Sequence, residues 1–358
     1  MEGMSKGIIR VLVADDSPLM CKILTNILNS DPQILVVGVA HNGKEAVEVV
    51  SNLKPDIITM DIHMPVMDGL EATKQIMSYR PTPILIVSTS IFKVGMEKVF
   101  KAISYGALDV IDKGEIEAGG NKETEKALID KVKFLSGVRV IYHPLAKVEK
   151  DKESKTLSVP KLSSLERIVA IASSTGGPQA LLKILKSFPA DFPCGIVIVQ
   201  HITSGFVEGL VDWLDTECQL NVKVAEDSEE ISPGVAYIAP CDVQMRVETH
   251  GRIKLSQEPP HDGHRPSGDI LLESVARVYK SGAIGVILTG MGRDGAVGIK
   301  SIKHMFGQTI AQDEKSCVIF GMPKVAIEMN VVDKVLPLDK IAEEVVRLLY
   351  AGKDKEKK

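Results

Sequence analysis

Hydrophobic positions along the chain gather into short runs, separated by longer stretches in which apolar residues recur at helical spacing. The first run, Ile8 to Ala14, stops at Asp15-Asp16-Ser17-Pro18. Serine followed by proline supplies a helix N-cap and a first helical position, and the helix it starts reaches about Asn29. Ile34 to Ala40 then reads as a strand and Gly43 to Leu53 as a helix. Asp56 to Met60, Ile84 to Val87 and Ala107 to Ile111 are three further strands, and Lys122 to about Ser136 closes this half as a helix. Strands that are apolar at nearly every position, alternating with helices, predict a parallel sheet covered on both faces.

From Gly137 to Leu165 the pattern breaks, and Lys147 to Lys155 is mixed charge with little apolar content. This reads as a solvated linker. A second alternating half follows. Ile168 to Ala172 is an apolar run that ends in Ser173-Ser174-Thr175-Gly176-Gly177-Pro178 and leads into a helix over Gln179 to Leu185. Gly195 to Val199 delivers Gln200 and His201, and Ala283 to Leu288 delivers Thr289-Gly290-Met291-Gly292-Arg293-Asp294-Gly295. The predicted organisation is a first domain over 1–125, a helix end and charged linker over 126–163, a second domain over 164–350 and a charged tail over 351–358. Both domains are predicted to be α/β. The first has a five-stranded parallel sheet, and the second is doubly wound and mainly parallel.

Length and composition agree with two globular domains. The chain has 358 residues, of which 44% are hydrophobic and 25% charged. The net charge of -4 gives no electrostatic case for nucleic acid. Cys21, Cys194, Cys218, Cys241 and Cys317 are scattered without metal-ligand spacing, as expected of free thiols in a reducing compartment. No apolar run has the length of a membrane span or a secretory signal. A cytoplasmic protein without membrane insertion is the expectation.

Chemistry gathers at the carboxyl ends of the predicted strands, where open α/β sheets bind ligands. In the first domain Asp15 and Asp16 end one strand, Asp61 another and Ser88 a third, and Lys113 follows a fourth. Carboxylates facing one another need a cation between them. An all-oxygen set suits Mg²⁺, and a carboxylate beside it can accept a phosphoryl group. In the second domain Ser174, His201 and Asp294 are the members of a nucleophile–base–acid triad. Taken alone, the Ser174 stretch serves equally as a helix N-cap and glycine turn.

Two resemblances extend this reading. Residues 1 to about 125 resemble a response-regulator receiver, with the flavodoxin-like fold, through Asp15-Asp16-Ser17, the stretch Asp61 to Gly69, Val87-Ser88 and Lys113. The resemblance implies Asp61 as phosphoacceptor, Ser88 and Lys113 as switch residues, and Asp15, Asp16, Asp61 and the His63 carbonyl as Mg²⁺ ligands. Gly114 departs from the usual proline. The second domain is similar to the catalytic domain of the CheB family of chemotaxis methylesterases. The matching pieces are Ser174 to Pro178, Val199-Gln200-His201, Tyr237 to Pro240, His264 to Ser267, Leu288 to Ala296, Ala311 to Glu314 and Phe320 to Pro323. That similarity implies Ser174 as nucleophile, His201 as base, Asp294 as its partner and the Met291 backbone N–H as oxyanion donor, with no cofactor in this domain. It also implies a phosphorylation-activated protein-glutamate methylesterase, with receptor glutamine deamidation as a second activity. The partners it implies are the cytoplasmic helices of methyl-accepting chemotaxis receptors and a chemotaxis histidine kinase. Ala172 and Ser173, Ile202 and Thr203, and Cys241 and Gln244 depart from the family pattern. A binding module without turnover is the alternative. A small-ester α/β-hydrolase conflicts with the order Ser, His, Asp.

Overall fold

The central strands are apolar on both faces because both are covered, and several helices begin where a side chain takes over an unpaired N–H. In the computed structural model, residues 7–89, 96–117, 122–138, 140, 157 and 167–350 are described. The chain divides into two compact units, 1–153 and 154–358. The charged stretch 147–155 and the tail 351–358 lie outside the described residues.

The first unit runs β1 (Ile9–Ala14), α1 (Pro18–Asn29), β2 (Ile34–Ala40), α2 (Gly43–Leu53), β3 (Ile57–Met60), α3 (Gly69–Tyr79), β4 (Ile84–Ser88), α4 (Met96–Ser104), β5 (Asp109–Asp112), α5 (Lys113–Glu117) and α6 (Lys122–Leu135). The strands form one sheet in the order β2-β1-β3-β4-β5, and every pair is parallel. Ser17, Asn42 and Asp68 cap α1, α2 and α3 by accepting the backbone N–H of Met20, Glu45 and Glu71. Several boundaries differ from the sequence pattern: β1 starts at Ile9 and not Ile8, β4 extends to Ser88, and β5 begins at Asp109 and not Ala107. Asp56 lies outside β3, its carboxylate accepting the Arg10 N–H at 2.8 Å. Lys113 opens the short helix α5 and does not lie in a loop.

The second unit runs β6 (Ile168–Ser173), α7 (Gly177–Leu185), β7 (Gly195–Gln200), α8 (Val207–Glu217), β8 (Asn221–Val224), β9 (Val235–Ile238), β10 (Gln244–Glu248), β11 (Arg252–Ser256), α9 (Gly268–Tyr279), β12 (Ala283–Ile287), α10 (Ala296–His304), β13 (Gln308–Gln312), α11 (Met322–Glu328), β14 (Lys334–Leu336) and α12 (Leu338–Tyr350). Seven strands form a parallel sheet in the order β14-β13-β12-β6-β7-β9-β8. The antiparallel hairpin β10–β11 stands apart from it. Ala170, Ala172, Val197 and Val199 on one face of the sheet share a core with Leu271, Leu272 and Val275 of α9 and Ile299 and Ile302 of α10. The alternate residues Val169, Ile171, Ile196 and Ile198 are equally buried, which is why these strands carry no polar alternation. Strands β12, β6 and β7 are neighbours, so their carboxyl ends bring the candidate residues to one edge.

Candidate active site and acidic cluster

Strand β6 ends at Ser173, which is fully buried, and Ser174 is the first residue to emerge, half-buried. Gly176, at φ 78°, turns the chain sharply into α7. The Gly177 N–H donates to the Ser174 carbonyl at 2.7 Å, and the Ser174 N–H donates to the Thr289 carbonyl at 3.1 Å. The nucleophile candidate is thereby fixed to the loop that follows β12. The fit is close: a Cβ on Gly290 would lie 2.7 Å from the Ser174 Cβ and 2.3 Å from the Met322 sulfur. The loop itself is pinned on both sides of Gly290, whose N–H donates to Ile319 and whose carbonyl accepts from Met322. Met291 follows at once, its side chain exposed.

His201 is the first residue beyond β7, and its N–H donates to the Ser173 carbonyl at 2.9 Å. Its Nε2 lies 2.7 Å from Asp294 Oδ2. Asp294 is 1% exposed. It sits at the N-terminus of α9 and accepts the Ser267 hydroxyl at 2.7 Å, the Gly268 N–H at 2.6 Å and the Asp269 N–H at 3.0 Å. Burial alone would push its carboxyl pKa up. The hydrogen bond offered by His201, together with those donors, holds it well below the usual carboxylate range. Such a carboxylate stays ionised and fixes the imidazole with Nε2 as the donor. That leaves Nδ1 as the basic nitrogen. The His264 ring stacks on His201 with centroids 4.4 Å apart. Burial, then the neighbouring His201, lowers the His264 pKa, and its buried Nδ1 has no partner among the described residues.

The structure also shows support residues that sequence reasoning passed over. Gln244, fully buried, donates to the Pro259 and His264 carbonyls and accepts the Ser267 N–H at 2.9 Å. It holds the segment from which Ser267 reaches Asp294. Gln200 donates to the Ser174 and His201 carbonyls. The Cys241 thiol meets the Ile202 carbonyl at 3.6 Å, so two of the departures from the family pattern touch one another. Position next to His201 was the available signal for Gln200. For Gln244 the available signal was its departure from the family pattern.

In the first unit, ligand oxygens of Asp15, Asp16 and Asp61 come within 4.8 Å of one another. Lys113 Nζ lies 2.8 Å from Asp15 and 3.0 Å from Asp61. Burial works against the Lys113 charge, but the two carboxylates keep its pKa above the ordinary value. Burial likewise raises the Asp15 carboxyl in spite of that lysine. The Ser88 hydroxyl at the end of β4 is buried and has no partner among the described residues. The His63 N–H donates to Asp61 at 3.3 Å. A Cβ on Gly69 would fall 1.9 Å from the Asp61 carbonyl oxygen, so only glycine fits there. One lysine against three carboxylates leaves room for a hard divalent cation, and an all-oxygen donor set fits Mg²⁺.

Family models agree with this division. One for the CheB methylesterase matches residues 169–345, and one for the response regulator receiver domain matches residues 11–118. A protein-glutamate methylesterase/protein-glutamine glutaminase of Syntrophus aciditrophicus is 44% identical over 343 residues, covering 95% of this chain and 98% of its own length. A protein of the same description from Pyrococcus abyssi is 43% identical, covering 95% of this chain and 93% of its own length. The crystal structure of the Thermotoga maritima CheB methylesterase catalytic domain matches with a TM-score of 0.50 and 44% identity, covering 52% of this chain and all of that one.

Proposed function

The chain belongs to the CheB family of receiver-linked protein-glutamate methylesterases, and from that premise we propose that it hydrolyses glutamate γ-methyl esters on methyl-accepting chemotaxis receptors under the control of phosphorylation at Asp61. Ser174 is the nucleophile, His201 the base and Asp294 its partner. The observation that carries this reading is the 2.7 Å bond between His201 Nε2 and the buried Asp294, one strand away from the emerging Ser174.

His201 Nδ1 takes the Ser174 proton as Oγ attacks the ester carbonyl carbon. The carbonyl oxygen becomes an oxyanion received by the Met291 backbone N–H. Asp294 stabilises the imidazolium, which returns the proton to the methoxy oxygen, and methanol leaves. Water, deprotonated by His201, attacks the resulting acyl-serine, and glutamate and free Ser174 are regenerated. A glutamine side chain can enter the same sequence with ammonia as the leaving group. Receptor deamidation is therefore part of the proposal.

In the receiver, Asp15, Asp16, Asp61 and the His63 carbonyl would hold Mg²⁺, which offsets negative charge during phosphoryl transfer from a chemotaxis histidine kinase. Ser88 and Lys113 then contact the acyl phosphate on Asp61. Among the described residues no helix is long and apolar enough to cross a membrane, in keeping with the proposed cytoplasmic location. A module that only binds has no need of a carboxylate held ionised by four donors, which favours turnover over docking. The test is methanol release from methylated receptor by the pure protein, with and without acetyl phosphate and Mg²⁺. Release that depends on Ser174 and rises with the phosphodonor is expected. Binding without methanol would favour the docking module.

A further inference from the structure

We propose that Gln200 is a positioning residue that sets the separation of nucleophile and base, and that Ser173 orients it; the proposal rests on the triad reading above. Strands β6 and β7 pair in parallel register as far as Ser173 and Gln200. The ladder ends with the His201 N–H on the Ser173 carbonyl. Ser174 and His201 are therefore the first residues that no strand pairing holds together.

The Gln200 side chain takes over at that point. It is 2% exposed. Its Nε2 donates to the Ser174 carbonyl and to the His201 carbonyl, each at 2.8 Å. A primary amide has two N–H donors, so both are spent on the backbone of the two residues that must exchange a proton. The amide oxygen accepts the Ser173 hydroxyl at 2.7 Å, which fixes which end of the amide faces the carbonyls. Space is reserved for it: a Cβ on Gly177 would lie 1.9 Å from that oxygen. Ser173, one of the departures from the family pattern, thereby gains a role that its position alone did not reveal. Because the amide is buried, it acts on the geometry of the reacting pair and not on substrate binding.

The test uses the full-length protein in two assays. One is the rate of Ser174 labelling by a fluorophosphonate. The other is methanol release from methylated receptor with acetyl phosphate present. Gln200→Glu keeps the acceptor for Ser173 but replaces both donors with an oxygen facing two carbonyls. It is expected to lower the labelling rate constant and kcat by about tenfold or more, with labelling amplitude and KM within about twofold of wild type. Partial unfolding would instead lower the amplitude and leave the rate constant unchanged. Ser173→Ala removes the orienting hydroxyl and is expected to cost about three- to tenfold in the same rate constants. In the double variant it should add little, because both changes act through one amide. If Gln200→Glu does not fold, Ser173→Ala decides alone. Wild-type rates in these single variants would overturn the positioning role while the triad stands. A wild-type protein that is not labelled at Ser174 would overturn the triad and the positioning role together.

Discussion

Two neighbouring carboxylates in the catalytic unit are pushed in opposite directions: donors outweigh burial at Asp294, and burial outweighs the single donor at Asp269. Asp294 faces His201, the Ser267 hydroxyl and the N–H groups that open α9, and stays ionised although buried. Asp294→Asn loses that charge and lets the imidazole turn, so kcat for methanol release is expected to fall about four orders of magnitude with the fold retained. Asp269 is 3% exposed and accepts the Gly298 N–H at 2.7 Å. Burial first, and then the charge on Asp294, raise its pKa to about 6, against the lowering effect of the Gly298 bond. The sign follows by linkage. Between an unfolded value near 4 and the folded value of about 6, the folded chain holds a proton that the unfolded chain has lost. Stability therefore falls as pH rises through that window, and the full cost is present above it. Asp269→Asn keeps the acceptor for Gly298 and removes the cost. Its melting temperature relative to wild type is expected to be higher at pH 8 than at pH 5, by a few degrees. Thermal scans at the two pH values check this, and an equal or reversed difference would refute it.

At the scale of elements, the site depends on close backbone approach between the loops after β6 and β12. Gly290→Ala would set a methyl group 2.7 Å from the Ser174 Cβ and 2.3 Å from the Met322 sulfur. Both separations are too short for real atoms, so the Ser174 turn must shift as well as Met322. Turnover is expected to drop at least tenfold, because displacements of an ångström at a nucleophile cost that much and more. A variant that melts near wild type yet has lost activity is the signature to look for; full activity would refute the dependence of the site on this close approach. Much of this architecture was legible in the chain. Strands β6, β7 and β12 are apolar throughout because both faces are covered, and Ser17 announced α1 by its capping chemistry. The hairpin β10–β11 was missed although Met245, Val247, Ile253 and Leu255 alternate with Arg246, Glu248, Arg252 and Lys254, the period-two pattern of strands with one covered face, because it lacks the continuous apolar run of the parallel-sheet strands. The candidate triad residues could be picked out because their residue types stand in the segments that leave the strands. The roles of Gln244 and Ser267 could not, although both positions were marked, because their work consists of bonds to residues far away in sequence, and no local spacing encodes those.

At the scale of the whole molecule, two compact units each carry their own sheet and their own cluster of reactive groups. A receiver on the same chain as an esterase has a purpose only if its state changes the population of the active form. Lys113 now divides its charge between Asp15 and Asp61, and the buried Ser88 hydroxyl is unpartnered among the described residues. A phosphoryl group on Asp61 would add roughly two negative charges and give both residues a stronger partner. Such a local change would bias the switch. Asp61→Asn keeps the fold of the cluster but cannot form the acyl phosphate. It is therefore expected to retain basal methanol release and to show no stimulation by acetyl phosphate with Mg²⁺. The direction of control follows from a second measurement. If the unphosphorylated receiver restrains the catalytic unit, a chain beginning near residue 163 should release methanol faster than the unphosphorylated whole. It should also be indifferent to the phosphodonor. A shortened chain that is folded by circular dichroism and yet equals or falls below the unphosphorylated whole would rule out restraint. The receiver would then have to activate by a positive contribution that the shortened chain lacks.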